Sequence, residues 1–127
     1  MNQDIGFVSI GPGLSPGPVV WLTETAAINE ADASIARFEP EGDATEQYLV
    51  GWSEPGDNTT YRLGRVDSSG TLLAGVVDVS DIAQWGRRDD PFRKHANGDV
   101  VWAWFDAPGS TTLRVARVRS GNACAAR

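Results

Sequence analysis

The chain has 127 residues, 17 acidic against 11 basic side chains for a net charge of −6, and one Cys and one His. That length suits a single domain able to bury a core. The acidic balance speaks against a general nucleic-acid or anionic-membrane binder, the lone Cys excludes a disulfide framework or a Cys-based zinc centre, and no 18-residue apolar run or signal-peptide layout is present. In chain order, Ile5–Ile10 reads as a strand, followed by the Pro/Gly turn GPGLSPGP. Residues 24–36 have two readings. Ala27, Ala31, Ile35 and Phe38 lie near helical spacing with Thr25 as a cap, whereas Ser34–Phe38 also reads as a strand. Tyr48–Ser53 is a strand with both faces apolar, so neither face sees much water. The turn PGDN leads to a more alternating strand over Thr60–Val66, and Ser68-Ser69-Gly70 turns the chain into a strand near Leu72–Val79. Asp90–Lys94, Val100–Phe105 and Thr112–Val118 follow as strands, with APGS as the last turn and 121–127 as a flexible tail.

The second half of this list repeats the first. Glu46–Val66 slides 52 positions onto Gly98–Val118 without a gap, giving six identities in 21 positions. Trp52 meets Trp104, Thr59-Thr60 meet Thr111-Thr112, Arg62 and Arg65 meet Arg114 and Arg117, and Val66 meets Val118. Upstream, residues 17–38 lie over 74–95 at an offset of 57, with Val19-Val20 on Val76-Val77, Asp32 on Asp89 and Ile35 on Phe92. The change of offset falls in the turn after residue 38, where insertions belong. The repeat units are therefore about 15–66 and 72–118 within one domain, 1–120, and their period is near that of a propeller blade. Each unit reads as an outermost strand first, then an inner strand, a central one and a peripheral one.

The segments YLVGWSE and YRLGRVDSSGTLL resemble a bacterial repeat of the form YLVxW, polar turn, strand ending RVDxxG. Such repeats are similar to blades of secreted or surface β-propellers. The resemblance covers residues 34–118 and loosely 5–33, and it implies a secreted or cell-surface setting but no catalytic positions. The second unit departs from it, replacing RVDxxG by Arg117-Val118-Arg119-Ser120. The expected fold is thus all-β, two propeller-type four-stranded blades with extra terminal strands, or an α+β alternative with one short helix near 24–36. Two blades do not close a ring of four to eight. A parent chain or head-to-tail association of copies would complete it, three copies giving six blades.

The charge is uneven. Residues 1–60 hold ten carboxylates against Arg37, a balance of −9, and residues 61–127 hold ten basic groups against seven Asp, a balance of +3. This fits a basic ligand site, an acidic-on-basic contact between copies, or chance spacing on a solvated surface. The densest functional-looking cluster is the Trp85–Asp90 loop. There Trp85 could stack on a sugar, Arg87 and Arg88 could fork a carboxylate or phosphate, and Asp89 and Asp90 complete the candidate ligand site. The plainer reading has Asp89, like Asp32, capping a turn while the arginines pair with nearby acids. Trp52, Trp102 and Trp104 read as core between blades or as a ligand platform. The matched Arg62/Arg114 and Arg65/Arg117 read as interblade salt bridges or an anion-binding ring. No catalytic residue, metal site or cofactor is expected, since His95 lacks a clear Ser or Cys partner and the Asp cluster with Glu30 has no DxDxDG form. The functions in play are a non-catalytic module binding a glycan or a protein, a self-assembly element, and a glycosidase-like enzyme using paired carboxylates.

Overall fold

Short aromatic and β-branched runs separated by Gly, Pro and Asx turns favour strands that pair with their chain neighbours. The computed structural model describes residues 2–86 and 90–123, and over them it is all-β, with no helix. Strands β1 (Gly6–Phe7) and β2 (Val20–Trp21) form a first sheet. Strands β3 (Ala31–Phe38), β4 (Gln47–Glu54), β5 (Thr60–Asp67) and β6 (Val77–Asp78) form a second, in that order. Strands β7 (Arg93–Lys94), β8 (Val100–Phe105) and β9 (Leu113–Val118) form a third. Every pairing is antiparallel. Among the described residues no sheet closes on itself.

Several expectations need correction. Two four-stranded units were expected, but among the described residues only the second sheet has four strands and the third has three. The outermost strand of the second unit shrinks to β6 and a bridge between Leu72 and Val66, and it joins β5 of the unit before it. The helix over 24–36 does not form. Residues 31–38 are strand, because β4 offers a full ladder from Gln47 to Ser53 that outweighs local spacing. That ladder slips between Ala31 and Ser34, where Asp32 takes a φ of 53°. Asp is among the few non-Gly residues that adopt such a conformation readily, and the result is a β-bulge.

The registers carry the repeat into three dimensions. Arg37 opposite Tyr48 recurs as Lys94 opposite Val100, and Trp52 opposite Arg62 recurs as Trp104 opposite Arg114. Arg62 and Arg114 do not bridge between sheets. Each pairs with an acid on its own hairpin, Arg62 with Glu54 at 3.2 Å and Arg114 with Asp106.

The second sheet is sandwiched. Ile5, Phe7 and Leu22 of the first sheet's region cover Val50, Trp52 and Val66 on one face. Phe92, Val100, Trp102 and Trp85 cover Leu49 and Leu63 on the other. This explains the missing alternation in 48–53: both faces of β4 are core. Gly51 makes the second contact possible, because a Cβ there would lie 2.6 Å from Phe92 Cζ and 2.9 Å from Trp85 Cζ2.

A buried polar knot ties the far end of the third sheet to the second. Asp99 accepts hydrogen bonds from the Ser120 N–H at 2.7 Å and the Ser120 hydroxyl at 2.6 Å, and it pairs with Arg117. Asn122, in the segment read as tail, donates to the carbonyls of Glu39 at 2.7 Å and Asn97 at 3.0 Å. Gly98 sits inside the knot at φ +89°, where a Cβ would lie 2.6 Å from Glu39 Cβ and 2.7 Å from the Glu39 carbonyl oxygen. Both the conformation and the space demand glycine. Gly98→Ala is expected to cost about 2 kcal/mol, read as a lower urea midpoint at unchanged slope; a shift within about 0.5 kcal/mol would contradict the crowding.

Candidate interaction surface

Alternation along a strand sends successive side chains to opposite faces. In the third sheet, Val100 and Trp102 turn inward to the second sheet, which leaves Val101, Ala103 and Phe105 on the outside. The register sets Val101 opposite Arg117, Ala103 opposite Val115 and Phe105 opposite Leu113, so these six share one outer face. The 52-residue offset maps them onto Leu49, Gly51, Ser53, Tyr61, Leu63 and Arg65. In the second sheet that set is mostly buried beneath the third. In the third sheet it is mostly bare, with only Val101 half-buried: Val115 is 66% exposed where Leu63 is 8% exposed. Phe105 and Leu113 are likewise exposed. The outer edge of β9 carries no strand among the described residues, whereas the same edge of β5 carries β6. Neither Leu113 nor Val115 stands out in the sequence alone. The signal is the comparison of matched repeats once the strand count is known to differ.

Of the predicted ligand cluster, the structure describes Trp85 and Asp90. Trp85 is 3% exposed, and its indole N–H donates to the Asp32 carbonyl at 3.1 Å. Tyr61, Phe92 and Trp102 meet its ring edge-to-face, with centroids 4.9–5.8 Å away. A ring so enclosed offers no face to a sugar, so Trp85 belongs to the core. Asp90 is exposed; its carbonyl accepts from Arg93, and its carboxylate from the Phe92 N–H at 3.4 Å. Arg87, Arg88 and Asp89 lie outside the described residues. Trp52 and Trp102 are core as well, while Trp104 remains half-buried.

Trp104 instead marks a groove of about 690 Å³ between Gln84–Gly86 and the β8–β9 turn. Tyr61, Trp104, Asp106 and Pro108 line it. Burial, and secondly the nearby charge of Asp32, raises the Tyr61 phenol above its ordinary range, so it stays a neutral donor. The groove therefore offers aromatic surface beside a hydroxyl and a carboxylate held by Arg114. Among the described residues no three His, Cys, Asp or Glu side chains converge as a metal site would require. No helix among them is long and apolar enough to cross a membrane.

No family model, curated protein or solved structure matches the chain.

Proposed function

We propose that this chain is a non-catalytic interaction module built from propeller-type blades, acting by offering sheet faces to other macromolecules. The observation that carries this reading is the bare outer face of the third sheet, whose counterpart in the second sheet is core. A contiguous apolar face left open is the mark of a surface kept for a partner. The ring such blades build, closed by further copies or by a parent chain, belongs to the same proposal, as does the secreted or surface setting implied by the resemblance.

A double variant, Leu113→Thr with Val115→Thr, tests it. Threonine keeps strand propensity and removes apolar surface. If the face serves a partner, stability at sub-micromolar protein should change by no more than about 0.5 kcal/mol. Two truncations in a face that the chain itself buries would cost about 4 kcal/mol, and a loss of that size would overturn the reading.

A second reading, a glycan held at the rim, is favoured by the groove beside Trp104. Sugars pack apolar ring faces on aromatics and hydrogen-bond to flanking carboxylates and hydroxyls. A glycan array probed with the wild-type chain and with Trp104→Ala tests it: binding lost in the variant supports it, and no glycan bound by the wild type removes it.

A further inference from the structure

We infer that copies of this chain associate head to tail, the third sheet of one copy docking on the hairpin side of the second sheet of the next, the face that the β1–β2 hairpin partly covers. The inference rests on the interaction-module reading and names its partner. Inside the chain, the contact between the second and third sheets has two halves. One is the face carrying Leu49, Gly51 and Leu63; the other carries Phe92 and Trp102, with Trp85 beside them. The repeat offsets copy the first half onto Val101, Ala103 and Val115 of the third sheet's outer face. They copy the second half onto Ile35, Val50 and Ile28 on the hairpin side of the second sheet. Both halves thus occur a second time: among the described residues the first copy has no mate, and the second is covered by Ile5, Phe7 and Leu22 at Val50 but left open at Ile35 and Ile28. Ile35 is 39% exposed where Phe92 is 2% exposed, and Ile28 is exposed where Trp85 is buried. Beside Ile35 an apolar groove of about 240 Å³, lined by Val8, Leu22 and Ala33, stays open.

The side chains compensate in size. Gly51 must lack a Cβ because the Phe92 ring presses on it. Its counterpart Ala103 adds that carbon, but it would face Ile35, which lacks the ring. The charges also agree in sign: Arg93 and Arg117 flank Val101 on the docking face, and the half of the chain that receives it carries the excess of carboxylates.

The repeat also fixes the strand register. β2 stands in the position of β6. Leu22 N–H donates to the Ile5 carbonyl at 2.8 Å just as Val79 N–H donates to the Tyr61 carbonyl at 2.9 Å. β1 therefore occupies, through two residue pairs, the place that a β9 from a neighbouring copy would take. Docking exchanges β1 for that β9, with Val20 opposite Val115 and Trp21 opposite Arg114, as Val77 stands opposite Leu63 and Asp78 opposite Arg62. The exchange caps the open edge of β9, which an isolated chain leaves available for uncontrolled pairing. A contact between two different faces is heterologous, so it builds rings or filaments rather than closed dimers.

Light scattering coupled to size exclusion, with the full chain over a range of concentrations, reads the association directly. Wild type is expected to form a discrete multiple, three copies for a six-bladed ring. Val115→Arg and Ile35→Arg, both at exposed positions, should each be monomeric. Mixed, they should give a complex of two chains and nothing larger, because each retains the face that the other has lost. In a Cys124→Ser background, Ala103→Cys mixed with Ile35→Cys should form an intermolecular disulfide, a readout that does not require the charged variants to fold. A wild type monomeric at every concentration overturns the inference, while the interaction-module reading stands or falls on the threonine variant. An associating wild type whose two arginine variants fail to combine, with no disulfide in the cysteine mixture, overturns it equally.

Discussion

Trp85→Ala is expected to cost about 4 kcal/mol, near the upper end for aromatic truncation. For a chain of this size that lowers Tm by more than about 10 °C. The ring is enclosed by Tyr61, Phe92 and Trp102, and Gly51 is shaped around its edge, so little can collapse into the space. The variant also leaves the Asp32 carbonyl without the indole N–H. Trp85→Phe separates the two contributions: it keeps much of the packing and loses the donor, for about 1–2 kcal/mol. Urea denaturation followed by circular dichroism measures both. A cost below about 1 kcal/mol for the alanine variant would return Trp85 to the rim as a ligand residue.

Asp99→Asn is expected to remove about 2 kcal/mol at pH 7, because a buried carboxylate that accepts two hydrogen bonds from Ser120 becomes a neutral amide, while its pair with the partly exposed Arg117 adds little. The Ser120 N–H and hydroxyl are the first causes that hold the Asp99 carboxyl far below the usual carboxylate range, and Arg117 adds to them. Its folded-state pKa is depressed. The stabilisation is therefore complete above the unfolded value, about 4, and is lost progressively as pH falls below it. The stability gap between wild type and Asp99→Asn should accordingly narrow between pH 7 and pH 2. An equal gap at both pH values would mean that charge on Asp99 contributes nothing.

These two side chains show what the sequence makes legible. Strand positions, their order and the repeat follow from aromatic and β-branched runs between turn residues, and the ladders agree with them at Tyr48–Ser53 and Val100–Phe105. Trp85 does not follow. Tryptophan beside two arginines suits a sugar platform or a core equally, and only the approach of a second sheet decides between them. Its repeat counterpart Ile28 is exposed, so the position alone does not dictate burial. The bulge at Asp32 is equally invisible, although it places the carbonyl that receives the indole N–H. Of the Asp99 knot only the Asn97-Gly98-Asp99 turn shows in the sequence: Asn122 falls in the stretch read as a flexible tail, and Ser120 stands just before it with no turn or strand signal. The bare face of the third sheet emerges only from comparing matched residues in two sheets of unequal strand number.

In each sheet, every strand lies beside its neighbour in the chain. Short loops close at small entropic cost, so each sheet can zip up as its own cooperative unit before longer-range contacts form. Docking of the third sheet on the second, through Trp85 and the Asn122 bond to the Glu39 carbonyl, is then the late step that commits the chain. Truncations at that seam should mainly speed unfolding, while truncations within the β4–β5 hairpin should mainly slow folding.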